Sequence, residues 1–152
     1  MSFMRFGLLV ALLGATACVS SSNDNYRLPV NGVITEAPAA GGILIETDGP
    51  SRVHAAMTGR VISVKRAPDG TKTMVMDHGG GMRTEYAQLS RVTAARGEDL
   101  RKGHTIGWVG RRGAETAEVR FQMRVGNANV DPTQVVDMGE AASSYGAVAS
   151  AQ

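Results

Sequence analysis

The chain has one cysteine, Cys18, among 152 residues. A lone cysteine excludes an internal disulfide. Aromatic residues make up only 5%, so a core must rest on Val, Ile, Leu and Met. Neither sign of charge prevails. The formal net charge is +2 and there is no basic block, which argues against a nucleic-acid partner. After the first stretch no second apolar run follows, so nothing beyond it can span a bilayer.

The first stretch is Met1 to Ala17. Arg5 supplies a positive n-region, Phe6 to Leu13 an apolar core, and small residues precede Cys18. Residues 1–17 therefore read as a secretory signal peptide. Cys18 after Ala15-Thr16-Ala17 resembles a bacterial lipobox, whose cysteine is acylated and becomes the new N-terminus. That motif prefers a larger aliphatic residue where Ala15 stands. The alternative is ordinary cleavage near Ala17 with a free thiol, a liability in an oxidising compartment. Residues 18–27 are expected to be the lipidated Cys18 and a polar tether, of which Val19–Asn25 reaches roughly 15 Å. Residues 28–138 form the expected domain. Residues 139–152 are Ala/Ser/Gly-rich without periodicity and read as a disordered tail.

Between these ends lie short strands and glycine turns. Ala117 to Val125, A-E-V-R-F-Q-M-R-V, alternates strictly. Val119, Phe121, Met123 and Val125 are expected on a buried face, and Glu118, Arg120, Gln122 and Arg124 on the other. Gly59–Lys65 and Thr73–Asp77 flank Pro68-Asp69-Gly70 and predict a hairpin. Further strands are expected at Val33-Ile34, Gly42–Glu46, Met82–Ala87 and Thr105–Val109, and Pro132 should end the sheet. No helix pattern exceeds two turns. The fold class is all-β, an antiparallel sheet or sandwich.

Several pieces, in order, carry a family resemblance. They are L-P-V-N-G-V-I; Val53, Ala55, Gly59 and Val61; M-V-M-D-H-G-G-G-M-R-T-E-Y-A-Q-L-S; G-E-D-L-R-K-G-H-T-I-G-W-V-G; and R-F-Q-M-R-V-G-N-A-N-V-D-P. Over about Leu28 to Val136 the chain resembles the lysostaphin/LytM-type zinc metallopeptidases, which cut peptide cross-links in bacterial cell walls. The resemblance implies their β fold. It also implies a zinc ion held by a His-x-x-x-Asp pair and the second histidine of His-x-His, with two further histidines assisting.

Carried across residue by residue, each of those positions is changed. The His-x-x-x-Asp pair falls on Ala40 and Leu44. The histidine of Tyr-Ala-His falls on Gln88, beside Tyr86. The His-x-His pair falls on Glu118 and Arg120. Alanine and leucine offer a metal no lone pair, and arginine repels a cation. Glu118 and Gln88 alone do not make a zinc site. His54, His78 and His104 lack ligand-type spacing and read as turn and surface residues. Neither metal nor other cofactor is expected, and no catalysis.

Degenerate members of this family activate N-acetylmuramoyl-L-alanine amidases, and some are outer-membrane lipoproteins. By that resemblance the chain is expected to be a periplasmic, outer-membrane lipoprotein of a Gram-negative bacterium, anchored through Cys18. Its former catalytic groove, with Ala40, Leu44, Tyr86, Gln88, Glu118 and Arg120, would take up a peptidoglycan amidase or other wall hydrolase. Glu118 and Arg120 are expected to pair across the lost metal position. The alternative occupant is peptidoglycan itself, bound without cleavage. An active zinc endopeptidase is the third and least favoured reading.

Overall fold

The computed structural model describes residues 26–36, 42–110 and 117–137. The expected signal segment, the anchor at Cys18 and the tail over residues 139–152 lie outside them. Among the described residues the strands are β1 (Tyr26–Arg27), β2 (Val33–Glu36), β3 (Gly42–Thr47), β4 (Ser51–His54), β5 (Gly59–Arg66), β6 (Lys72–Asp77) and β7 (Met82–Leu89). They continue as β8 (Arg91–Val92), β9 (Asp99–Leu100), β10 (Thr105–Val109), β11 (Ala117–Val125), β12 (Ala128–Val130) and β13 (Val136–Asp137). A single four-residue helix, α1 (Pro132–Val135), interrupts them. Proline opens it at the first helical position, where its missing N–H is not needed. The Asp131 carboxylate accepts from Thr133 N at 2.9 Å and caps it. Pro132 thus ends the sheet, as its chemistry requires, by starting a turn of helix.

The main sheet has eight strands. Its path is β2-β3-β11-β7-β6-β5-β9, with β12 paired to the far end of β11. The pairings within it are antiparallel. A smaller sheet, β4-β10-β8, forms the second layer, and β1 pairs with β13 in parallel. The hairpin of β5 and β6 turns at Gly70, whose φ of 84° is one that glycine adopts without strain. Asp69 accepts from Thr71 N at 3.0 Å to close the turn.

The core lies between the two layers. Ile43, Ile45, Met74, Met76, Val119, Phe121 and Met123 of the large sheet are sealed from solvent with Val53, Ile106 and Val109 of the small one. Tyr86 and Phe121 supply its aromatic contact, with ring centroids 5.4 Å apart. Burying a side chain such as Phe121 contributes roughly 2–3 kcal/mol. Gly59 lets β5 close on β6. A Cβ there would collide with the Asp77 carbonyl and the His78 ring.

The period of two in β11 holds for most of its length. Val119, Phe121 and Met123 are buried, while Glu118, Arg120 and Gln122 are half-exposed on the opposite face. Val125 departs from the expectation. It is 41% exposed, because β11 there has outrun β3 and has only the short β12 on that side, with Met82 of β7 on the other.

Candidate functional site

The outer face of the large sheet carries three adjacent strands, β3, β11 and β7. Strand register sets which side chains meet there. Arg120 lies opposite Leu44 on one side and Ala87 on the other. Glu118 lies opposite Glu46. Gln122 lies between Gly42 and Glu85, and Arg124 lies opposite Arg83. These residues alternate with buried ones, so they share the face turned away from the core.

Gln88 joins them through a bulge. Lys72 pairs with Leu89 and Met74 with Tyr86, so β7 carries one extra residue against β6. Tyr86 and Leu89 both enter the core, which leaves Ala87 and Gln88 together on the outer side. Gln88 has φ of 66°, the one positive value at a non-glycine residue among those described. Such a backbone costs about 1–3 kcal/mol. Its Oε1 is out of solvent and has no hydrogen-bond partner among the described residues, a second unfavourable contribution at the same residue.

Charge along this face is graded. Glu46 and Glu118 stand level at one end, and Arg83 and Arg124 at the other. Like charges directly across strands destabilise a sheet. Arg83 is partly balanced by Asp77 at 3.2 Å. The backbone N–H of Gly79 and then the Arg83 guanidinium hold the Asp77 carboxyl below its usual range. Beside the basic end, a recess of about 230 Å³ is lined by Val75, Arg83, Glu85 and Arg124.

The expected pair between Glu118 and Arg120 is absent. Arg60–Asp99 and Arg83–Asp77 form ion pairs among the described residues, and neither Glu118 nor Arg120 does so there. Two residues apart on one strand, the side chains stand side by side, and each has a closer neighbour across the ladder. Tyr86 is not on this face. It is fully buried and points into the core, because period two places it on the opposite side of β7 from Glu85 and Ala87. Ala40 lies outside the described residues.

Tyr86 belongs instead to a polar chain beneath the floor. Its Oη accepts from Ala56 N at 2.9 Å and lies 3.1 Å from Thr84 Oγ1. Thr84 Oγ1 is 2.7 Å from His78 Nε2, and His78 Nδ1 is 2.9 Å from the Thr58 carbonyl. A carbonyl only accepts, so Nδ1 carries the hydrogen. Neutral His78 then accepts from Thr84 at Nε2, and Thr84 accepts from Tyr86. Burial lowers the His78 pKa from its ordinary value. Burial also pushes the Tyr86 hydroxyl up to about 12. His78 is therefore half-buried, although its turn of glycines reads as exposed. Tyr26 packs edge-on against its ring, with centroids 5.8 Å apart. His104 is exposed on its turn, and His54 is half-buried.

A zinc ion does not fit the described part of this face. Leu44 has no donor, Arg120 is cationic, and Glu118 and Gln88 supply two weak oxygens. No group of three or more His, Cys, Asp or Glu among the described residues could hold a metal.

The model of peptidase family M23 matches residues 39–132. Outer membrane antigenic lipoprotein B of Haemophilus influenzae is 24% identical over 144 residues, covering 79% of this chain and 36% of that protein. A Pseudomonas aeruginosa protein assigned to peptidase M23 superposes with a TM-score of 0.67 at 25% identity, covering 76% of this chain and 51% of the other. A chain of the SpoIIQ–SpoIIIAH pore-forming complex superposes with a TM-score of 0.61 at 19% identity, covering 86% of this chain and 99% of its own length. The chain spans about a third of the length of the curated relative and half that of the Pseudomonas protein. The matches establish an all-β LytM/lysostaphin-type fold and a lipoprotein among its relatives.

Proposed function

Because the chain belongs to peptidase family M23, we propose that it is a non-catalytic, lipid-anchored member that activates a peptidoglycan amidase from the periplasmic face of the outer membrane. One observation carries this reading. The outer face joins a donor-poor centre, Leu44 opposite Arg120, to a strained Gln88 whose Oε1 lacks a donor among the described residues. A site kept at the expense of stability, without metal ligands, suits recognition better than hydrolysis. A peptide laid along it that drew the Gln88 side chain outward would give Oε1 its missing donor, and would meet acids at one end and bases at the other.

Two comparisons support the setting. A relative is an outer membrane lipoprotein, and a protein of the same fold works in a complex with a protein partner. Activation follows by population shift. A domain that binds only the open form of an autoinhibited amidase raises the share of that form.

The test is release of dye-labelled fragments from purified sacculi by the exported chain, with and without an amidase of the same organism. Release only when both are present is expected. No stimulation overturns the reading. Release by the chain alone identifies an endopeptidase, and tight sedimentation with sacculi without stimulation identifies a wall-binding module.

A further inference from the structure

On the opposite layer, residues Arg27, Arg52 and His54 border a recess of about 240 Å³. The other residues lining it are apolar or uncharged. Among the described side chains, which do not include that of Asp137 opposite Arg27 on β13, neither arginine makes an ion pair. Arg52 is held in place over the Trp108 ring, 5.1 Å from its centroid. Arg27 lies at the Gly103 turn, where an added Cβ would stand 3.8 Å from its Nη1. The Gly103 carbonyl accepts from His54 Nδ1 at 3.1 Å, which directs Nε2 elsewhere. Burial first, and then the charges of Arg27, Arg52 and His104, hold His54 below its ordinary pKa. The recess is thus a place of positive potential with no acid among its lining residues.

We infer that this recess binds the phosphate of an anionic membrane lipid. Charge complementarity selects an anion, and position selects the membrane. Cys18 precedes β1, which begins at Tyr26, and a fully extended tether of that length reaches at most roughly 28 Å. The choice of membrane rests on the proposed lipid anchor. Docking this way has a consequence for the groove. Arg52 and His54 flank the buried Val53 on β4 and point away from the core. Glu118 and Arg120 point away from it on the other sheet. A domain seated through the recess holds its groove towards the periplasm, where a hydrolase and its substrate lie.

The test uses the exported chain with Cys18→Ser, so that no acyl chain contributes. It is sedimented with vesicles of phosphatidylglycerol or of phosphatidylcholine at low salt. Binding to the anionic vesicles alone is expected. The double substitution Arg27→Glu and Arg52→Glu should reduce it at least tenfold, since each basic residue near such a surface is worth about fivefold. An unchanged circular dichroism spectrum shows that the variant is folded. No binding by the parent overturns the inference, as does equal binding by the variant. Saturable binding of inorganic phosphate, or of sacculi, without vesicle binding overturns it too. The mass of the protein isolated from membranes reports acylation of Cys18 separately, so failure of the anchor and failure of the recess are distinguishable.

Discussion

Leu44 on β3 and Arg120 on β11 face each other across the ladder, at two of the three positions that the family resemblance assigns to metal ligands. The aliphatic chain offers zinc no donor and the fixed cation repels it. Adding zinc should therefore leave the thermal midpoint unchanged. A genuine site would raise stability by about 2.7 kcal/mol at a hundredfold excess over its Kd, which calorimetry would detect.

Arg120→Glu should leave the fold intact, because Arg120 is half-exposed and makes no ion pair with Glu118. Stability should change by less than about 1 kcal/mol. Stimulation of the amidase should fall at least tenfold, for which about 1.4 kcal/mol of lost binding suffices. Equal stimulation by the variant in the sacculus assay would refute the groove assignment.

Gln88→Gly should trade binding for stability. Glycine adopts φ of 66° freely and removes the unpartnered Oε1. The free domain should gain about 1 kcal/mol in urea unfolding, offset in part by the flexibility of glycine in the unfolded chain. Partner binding should weaken. A variant that loses stability would show that Gln88 is held by contacts rather than strained.

Glu118→Lys should also stabilise. It replaces a like-charge contact with Glu46 by an opposite-charge one, for about 0.2–1 kcal/mol. Titration against the amidase should show weaker binding if the acidic end of the floor is used. Binding that survives would confine recognition to the centre and the basic end.

The His78 chain predicts a pH dependence. Its folded-state pKa lies below the ordinary 6.5, chiefly through burial, and His54 is lowered likewise. The native state then binds fewer protons than the unfolded chain just below pH 6.5. The associated stability is fully present above that pH and is lost as pH falls through the folded-state values. Protonating His78 would also reverse the chain, making Thr84 donate to Tyr86 Oη, which already accepts from Ala56. Urea midpoints from pH 7.5 to 4.5 should fall, and His78→Gln should flatten the slope. Tyr86→Phe should cost about 1–3 kcal/mol at any pH by leaving the buried Ala56 N–H unpaired.

Much of this protein is local and legible in its residues. The alternation of Ala117 to Val125, the Pro-Asp-Gly turn and the glycine spacing specify short antiparallel strands, because side-chain period and turn chemistry act over a few residues. The motif order specifies the family, and the residue types at Leu44, Gln88, Glu118 and Arg120 show donor chemistry unsuited to zinc. Only the tertiary structure decided which side chains meet. Ladder register placed Glu118 against Glu46 rather than against Arg120. An extra residue in β7 turned Gln88 outward while Tyr86 and Leu89 entered the core. Packing of Tyr26 and Thr84 half-buried His78 in a turn rich in glycine. The basic recess joins Arg27 to Arg52 and His54 through the Gly103 turn. These are long-range pairings, and where every described strand is shorter than ten residues no local pattern encodes them.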